Sequence, residues 1–161
     1  MAFMFLERPH KPSALKFIIP GVLIGIIVMA AAVGIYHYSG DARLCSSCHS
    51  MKFVHGQWEK SNHHQFTCTA CHLPDTHIVG KVIYKIRAGL NDLFHETMRD
   101  YPPGIHLSGE ARSIAGGNCV RCHASTIAGT KMSSGNTDCL ACHRHMVHGR
   151  GQDNGGIRVE K

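Results

Sequence analysis

All eight cysteines of this 161-residue chain fall in pairs, and each pair runs directly into a histidine. The four motifs are CSSCH at 45–49, CTACH at 68–72, CVRCH at 119–123 and CLACH at 139–143. Thiols at this spacing (Cys45 with Cys48, Cys68 with Cys71, Cys119 with Cys122, Cys139 with Cys142) can add across the two vinyl groups of one haem. The adjacent histidine can then reach the iron. A disulfide framework has no need of a histidine after every second cysteine. A zinc site normally combines two CxxC halves and does not require one. Four repeats with no cysteine left over point to four covalently bound haem c groups.

The first motif continues as CSSCHSM, which places two iron donors side by side, His49 and Met51. Thioether sulfur is softer than imidazole and raises a haem's potential. On local sequence, either His49 ligates and Met51 lies against the ring edge, or Met51 takes the iron. The chain has 14 histidines, of which His49, His72, His123 and His143 belong to the motifs. His10 precedes an apolar run and His37 ends it. The other candidates for the opposite axial positions are His55, His63, His64, His77, His95, His106, His145 and His148. His63 and His64 stand just before the second motif, and His145 and His148 just after the fourth. Such positions suit a neighbouring haem better than the motif's own.

The elements that must hold these groups are few. With 6 Phe, 4 Tyr and 1 Trp, the part of the chain that carries the motifs is poor in core-forming side chains, so the haems themselves must fill the interior. The formal charge of +6 suggests haem propionates as counter-groups and not nucleic acid, because the basic residues are dispersed. Residues 17–36, FIIPGVLIGIIVMAAAVGIY, contain no charge and are long enough to cross a bilayer. Pro20 lies in the first turn of this run. Arg8, Lys11 and Lys16 precede the run and put the N-terminus in the cytoplasm, while Tyr36 and Tyr38 suit the far interface. The run exceeds a signal-peptide core and lacks a good cleavage site, so it is expected to be retained. Gly21 and Gly25 make a GxxxG face open to another helix, including that of a second copy within a larger complex. The division expected is a cytoplasmic segment 1–16, an anchor 17–38 and a periplasmic tetrahaem domain 39–161. Only eight residues separate Tyr36 from Cys45, a reach under about 30 Å, so the first haem belongs near the membrane surface.

The motifs begin at 45, 68, 119 and 139, a short–long–short pattern that suggests two haem pairs. Within the long gap, Ile78, Val82, Ile86, Leu90 and Leu93, with Ile83 and Phe94 beside them, repeat at helical spacing up to Pro102 and Pro103. That helix suits either a membrane surface or a haem face. RSIAGGNCV and GTKMSSGNTDC read as loops wrapping haems, and the tail GRGQDNGGIRVEK has no apolar pattern. The fold class expected is mostly α and irregular, one transmembrane helix followed by a small tetrahaem domain with little conventional core.

The anchor, the order of the motifs, CSSCHSM at the first and the NHHQFTCTACHLP block together resemble the NapC/NirT family of membrane-anchored multihaem cytochromes c. Within it the chain is most similar to the small quinol-oxidising subunits of nitrite reductases in sulfate-reducing bacteria. The resemblance implies Met51 as axial ligand of haem one, His64 crossing to haem three and His148 to haem two. His72, His123 and His143 would be the proximal ligands of haems two, three and four. It implies Asp92 over the distal face of haem one and Lys85 beside bound quinol. Lys85 and Asp92 are seven apart, so one helix can present both on one face. The chain departs from the family in having no histidine between His123 and His143, which leaves the distal ligand of haem four unassigned.

The function implied is a quinol dehydrogenase that takes electrons from menaquinol and passes them to a periplasmic multihaem nitrite reductase partner. A tethered carrier that never touches quinol is a second reading, and a self-contained reductase of nitrite or hydroxylamine a third. Direct reduction of the purified chain by a menaquinol analogue separates the first two.

Overall fold

The computed structural model describes residues 15–134, 137–149 and 157–158. Most of the expected cytoplasmic segment, with Arg8, His10 and Lys11, lies outside these residues, as does most of the C-terminal tail. The chain divides into two units, Met1–Tyr38 and Ser39–Lys161.

The first unit holds α1, Leu15–Tyr38, with a mean hydropathy of 2.7 over its most apolar window. Its apolar side chains are exposed all round, as on a helix solvated by lipid. The helix begins two residues before the uncharged run, so Pro20 sits inside it and not in its first turn. The proline ring cannot donate the backbone bond of the second turn, a loss that a membrane helix tolerates.

The second unit is helical and small. In chain order it contains α2 (Ala42–Cys45), a 3-10 turn (His49–Met51), α3 (Lys52–Glu59), α4 (Cys68–His72), α5 (Ile78–Met98), α6 (Gly109–Ile127) and α7 (Cys139–His143). The helix expected in the long gap is α5. It stops at Arg99, which takes the left-handed conformation (φ 53°) three residues before Pro102. Its apolar stripe of Ile83, Ile86, Leu90 and Leu93 is exposed, each 56–62 % accessible, and does not pack on the rest of the unit.

The stretch RSIAGGNCV is helical, contrary to the loop expected from its glycines. It lies inside α6, where tertiary contacts outweigh the weak propensity of Gly116 and Gly117. Ser108 caps the helix by accepting from the amide of Ala111 (3.2 Å), and Glu110 lies in its first turn. Asn118, 4 % exposed, faces α4. A second difference concerns the tail. Ile157–Arg158 pairs antiparallel with Gly104–Ile105 in a two-stranded ribbon.

Almost no core of the usual kind exists. Among the described residues only Tyr101 and Ala115 are buried apolar side chains, with Ser50 and Asn118 the buried polar ones. Side-chain caps between helices do the positioning. The Asn118 amide donates to the carbonyls of Cys71 and Leu73 (both 2.8 Å), and Arg121 donates to that of Ala70 (3.0 Å). A five-residue helix such as α4 leaves these acceptors orphaned, and α6 supplies the donors. Arg87 grips Glu110 through two contacts of 2.6 and 2.7 Å, tying α5 to the start of α6. Arg112 bonds Asp138, the N-cap of α7, at 2.8 Å.

Replacing Asn118 by Ala leaves two half-buried carbonyls without a donor. The haem-loaded full chain is expected to lose about 2–3 kcal/mol of stability, read as a lower Tm in thermal unfolding followed at the haem absorption. An unchanged Tm would show that the α4–α6 cap contributes nothing.

Candidate functional site

Each cysteine pair lies on or beside a helix, short in the first, second and fourth motifs and long in the third. Both cysteines and the histidine of the second, third and fourth motifs fall within single helices, α4, α6 and α7. The first motif is built differently. Here α2 ends at Cys45, Cys48 is extended (φ −74°, ψ 137°) and His49 opens a separate 3-10 turn that ends at Met51. All eight cysteines are unpaired, as attachment to a haem requires. Among the described residues no three His, Cys, Asp or Glu side chains converge as they would around a zinc ion.

The motifs form a connected series. The Cys45 thiol is drawn down to about 7, chiefly by a hydrogen bond from Cys68 and then by the charge of Lys85, against the effect of burial. Burial pushes the Cys71 thiol up, and the charge of Cys122 adds to it. The same holds for Cys119, with Cys139 and Cys71 as its charged neighbours. A thioether sulfur no longer titrates, but the proximity remains. Motif two therefore touches motif one and adjoins motif three, and motif three adjoins motif four.

Two histidine pairs face each other across this series. The rings of His72 and His148 have centroids 6.0 Å apart, and those of His63 and His123 are 6.2 Å apart. Two imidazoles on opposite sides of one metal, with metal–nitrogen bonds of about 2 Å, put ring centres at about that separation. Burial pushes His72 down to about 4, with the charge of His148 adding to it, so the ring is neutral at neutral pH. His148 is also lowered, mainly by burial, while its bond to the Val54 carbonyl (3.4 Å) opposes the shift. Neutral imidazole is the form that binds iron. The Nδ1 of His63 is buried and has no hydrogen-bond partner. The donor set thus fits haem.

The placement of His63 and His64 differs from that implied by resemblance. His63 stands opposite His123. His64 is exposed, and its Nδ1 bonds the Ser61 carbonyl at 2.8 Å. Both residues carry the right chemistry, and only the fold distinguishes them. No second ring adjoins His143 among the described residues. Two rivals for that position are engaged elsewhere: His95 pairs with Asp100 at 2.6 Å and His77 bonds Thr76 at 3.2 Å. Met132 is exposed.

The face of α5 bearing Lys85, Asp92 and Glu96 lies along the first motif. Lys85 acts electrostatically on Cys45, and Asp92 on Cys48. Desolvation lowers Lys85 below the ordinary lysine range, with Cys45 opposing. Desolvation raises the Asp92 carboxyl above 3.8, against the effects of Asn91 and His95. Met51, at the end of the turn, is half-buried, whereas His49 is exposed. Glu96 was not among the sequence candidates. It accepts from the His49 amide (2.6 Å) and the Ser50 hydroxyl (2.6 Å), contacts made across more than forty residues of chain.

The ring pairing generates a direct test. His63→Ala is expected to abolish the bis-histidine low-spin signal of one haem in the ferric electron paramagnetic resonance spectrum, and His64→Ala to leave every haem signal in place. The reverse outcome would return His64 to the ligand set.

Known proteins resemble this chain in sequence and in fold. Over 141 residues the chain is 29 % identical to cytochrome c nitrite reductase subunit NrfH of Nitratidesulfovibrio vulgaris, strain Hildenborough, covering 85 % of this chain and 87 % of that protein. The fold matches a chain in the crystal structure of the cytochrome c nitrite reductase NrfHA complex bound to the HQNO inhibitor. That match has a TM-score of 0.75 and 25 % identity, and covers 90 % of this chain and 99 % of the other. Residues 8–153, nearly the whole chain, match the N-terminal region of the NapC/NirT cytochrome c family, and the protein belongs to that family.

Proposed function

We propose that this chain is the membrane-anchored, quinol-oxidising cytochrome c of a nitrite reductase complex, donating electrons to a catalytic multihaem nitrite reductase subunit. The relative NrfH is a subunit of cytochrome c nitrite reductase, and the structural neighbour belongs to an inhibitor-bound complex of that enzyme. The single helix α1 holds the chain in the inner membrane, and the basic residues before it put the haem domain in the periplasm. The observation that carries the reading is the two pairs of opposed imidazoles beside cysteine pairs, with a lysine and a raised carboxyl set against the first motif.

Four haem c groups fit the four cysteine pairs. His72 and His148 would hold haem two, and His123 with His63 haem three. Met51 would hold haem one. His143 would hold haem four, whose other face is left for a donor such as lysine or histidine from the reductase subunit. When bound, haems accept electrons one at a time and pass them along the series of motifs.

Oxidation of a quinol, expected to be menaquinol, releases two electrons and two protons; residues of α5 orient the quinol and take up the protons one at a time, each passing on to water before the next is released. The Lys85 ammonium donates a hydrogen bond to a quinol oxygen and orients the ring. The Asp92 carboxylate accepts a released proton. Its raised pKa brings it closer to the proton it must take, and its negative charge disfavours a further ligand on haem one.

Asp92 must be ionised to act as base. Its folded pKa lies above 3.8, so quinol oxidation is expected to fall as the pH drops through that raised value. Asp92→Asn should remove this limb and lower kcat by about 100-fold. Lys85→Leu should raise KM. Both variants should keep four dithionite-reducible haems. Unchanged kinetics with a menaquinol analogue in both would remove α5 from the quinol site, and a wild-type chain that the analogue cannot reduce would leave a tethered electron carrier.

A further inference from the structure

The first motif departs from the other three in its backbone, and one side chain accounts for the departure. Were α2 to continue through the motif as α4 and α7 do, the His49 amide would bond the Cys45 carbonyl in the ordinary helical manner. Instead it donates to Glu96 Oε1 at 2.6 Å. The Ser50 amide reaches the same oxygen at 3.4 Å, and the Ser50 hydroxyl donates to Oε2 at 2.6 Å. Both carboxylate oxygens are thus engaged by two successive residues, and Ser50 is 6 % exposed. These amides are the unpartnered donors that open a 3-10 turn, where a carboxylate is the favoured acceptor. The helix ends at Cys45, Cys48 is extended, the new turn runs His49–Met51, and Met51 closes it.

We propose that Glu96 is the positioning residue that selects the axial ligand of haem one, withdrawing His49 from the iron and presenting Met51. This rests on the reading of Met51 as that ligand. Glu96 follows Asp92 by one turn of α5, so the helix that carries the proton acceptor also sets the register of the ligand turn. A haem ligated by methionine has a higher potential than the same haem ligated by histidine and is the easier acceptor for quinol electrons. Glu96 thereby tunes the entry haem without touching iron or substrate.

The test uses the purified full-length chain with its haems, read by ferric electron paramagnetic resonance, near-infrared magnetic circular dichroism and the midpoint potential of haem one. In the wild type, Met51→Ala should change the haem-one signal and His49→Ala should not; the opposite result removes Met51 as ligand and the proposal with it. Glu96→Asp is one methylene too short to make the 2.6 Å contacts and should shift haem one to histidine ligation at a lower potential, as should Glu96→Ala. Adding His49→Ala to Glu96→Asp should restore the methionine signal. Glu96→Gln, which can accept from the His49 amide and bond the Ser50 hydroxyl, should stay close to wild type. If Met51 passes its test and Glu96→Asp and Glu96→Ala still give the wild-type signal and potential, the role of Glu96 is overturned while the ligand reading stands. Should neither variant take up haem one, Ser50→Ala decides: a mixture of two haem-one signals supports the proposal, and a pure wild-type signal overturns it.

Discussion

A helix of four or five residues has almost no internal hydrogen bonds, so nearly all of its amides and carbonyls need partners from outside. The short helices α2, α4 and α7 all carry haem cysteines. Buried apolar residues cannot orient them, since only Tyr101 and Ala115 qualify among the described residues. Side chains from longer helices meet the need. Asn118 and Arg121 of α6 bond the end of α4, Arg112 of α6 bonds the cap of α7, and Glu96 of α5 holds the turn after α2. Each bond satisfies a terminus and at the same time locates a haem motif. Arg121 does this from inside the third motif, so the position of one motif is transmitted directly to the next.

This arrangement changes the meaning of the spacing between motifs. The long interval between the second and third motifs suggests two separate haem pairs. In space the interval is looped out as α5, and α4 and α6 meet. The Cys68 thiol adjoins that of Cys45 on one side of motif two, while Cys122 lies within electrostatic range of Cys71 on the other. The attachment motifs therefore form a continuous series from the first to the fourth. The inserted helix is the one that carries Lys85, Asp92 and Glu96, so the insertion that lengthens the chain also sets three charged side chains against the first motif.

Much of the site can be read from covalent spacing. Two thiols three residues apart and a histidine after them specify haem attachment, because the vinyl groups and the iron demand it. Likewise a run of 20 uncharged residues specifies a membrane span by length alone. The apolar repeat that marks α5 is a local signal of the same kind. These features need no knowledge of what lies elsewhere in the chain.

Other features depend on residues far apart. His63 and His64 are neighbours of identical chemistry, and the choice between them rests on the ring of His123, 6.2 Å from His63 and sixty residues away in sequence. The helical state of RSIAGGNCV depends on Asn118 meeting the carbonyls of Cys71 and Leu73, a gain that offsets weak propensity. The break in CSSCH depends on Glu96, which no local pattern connects to His49. Covalent chemistry and hydrophobic length act over a few residues, and so the sequence by itself determined the haem-attachment motifs, the span and the amphipathic helix. Hydrogen bonds between distant termini act only once the chain is folded, and the tertiary structure alone decided which histidine faces which, and how the first motif is bent against Glu96.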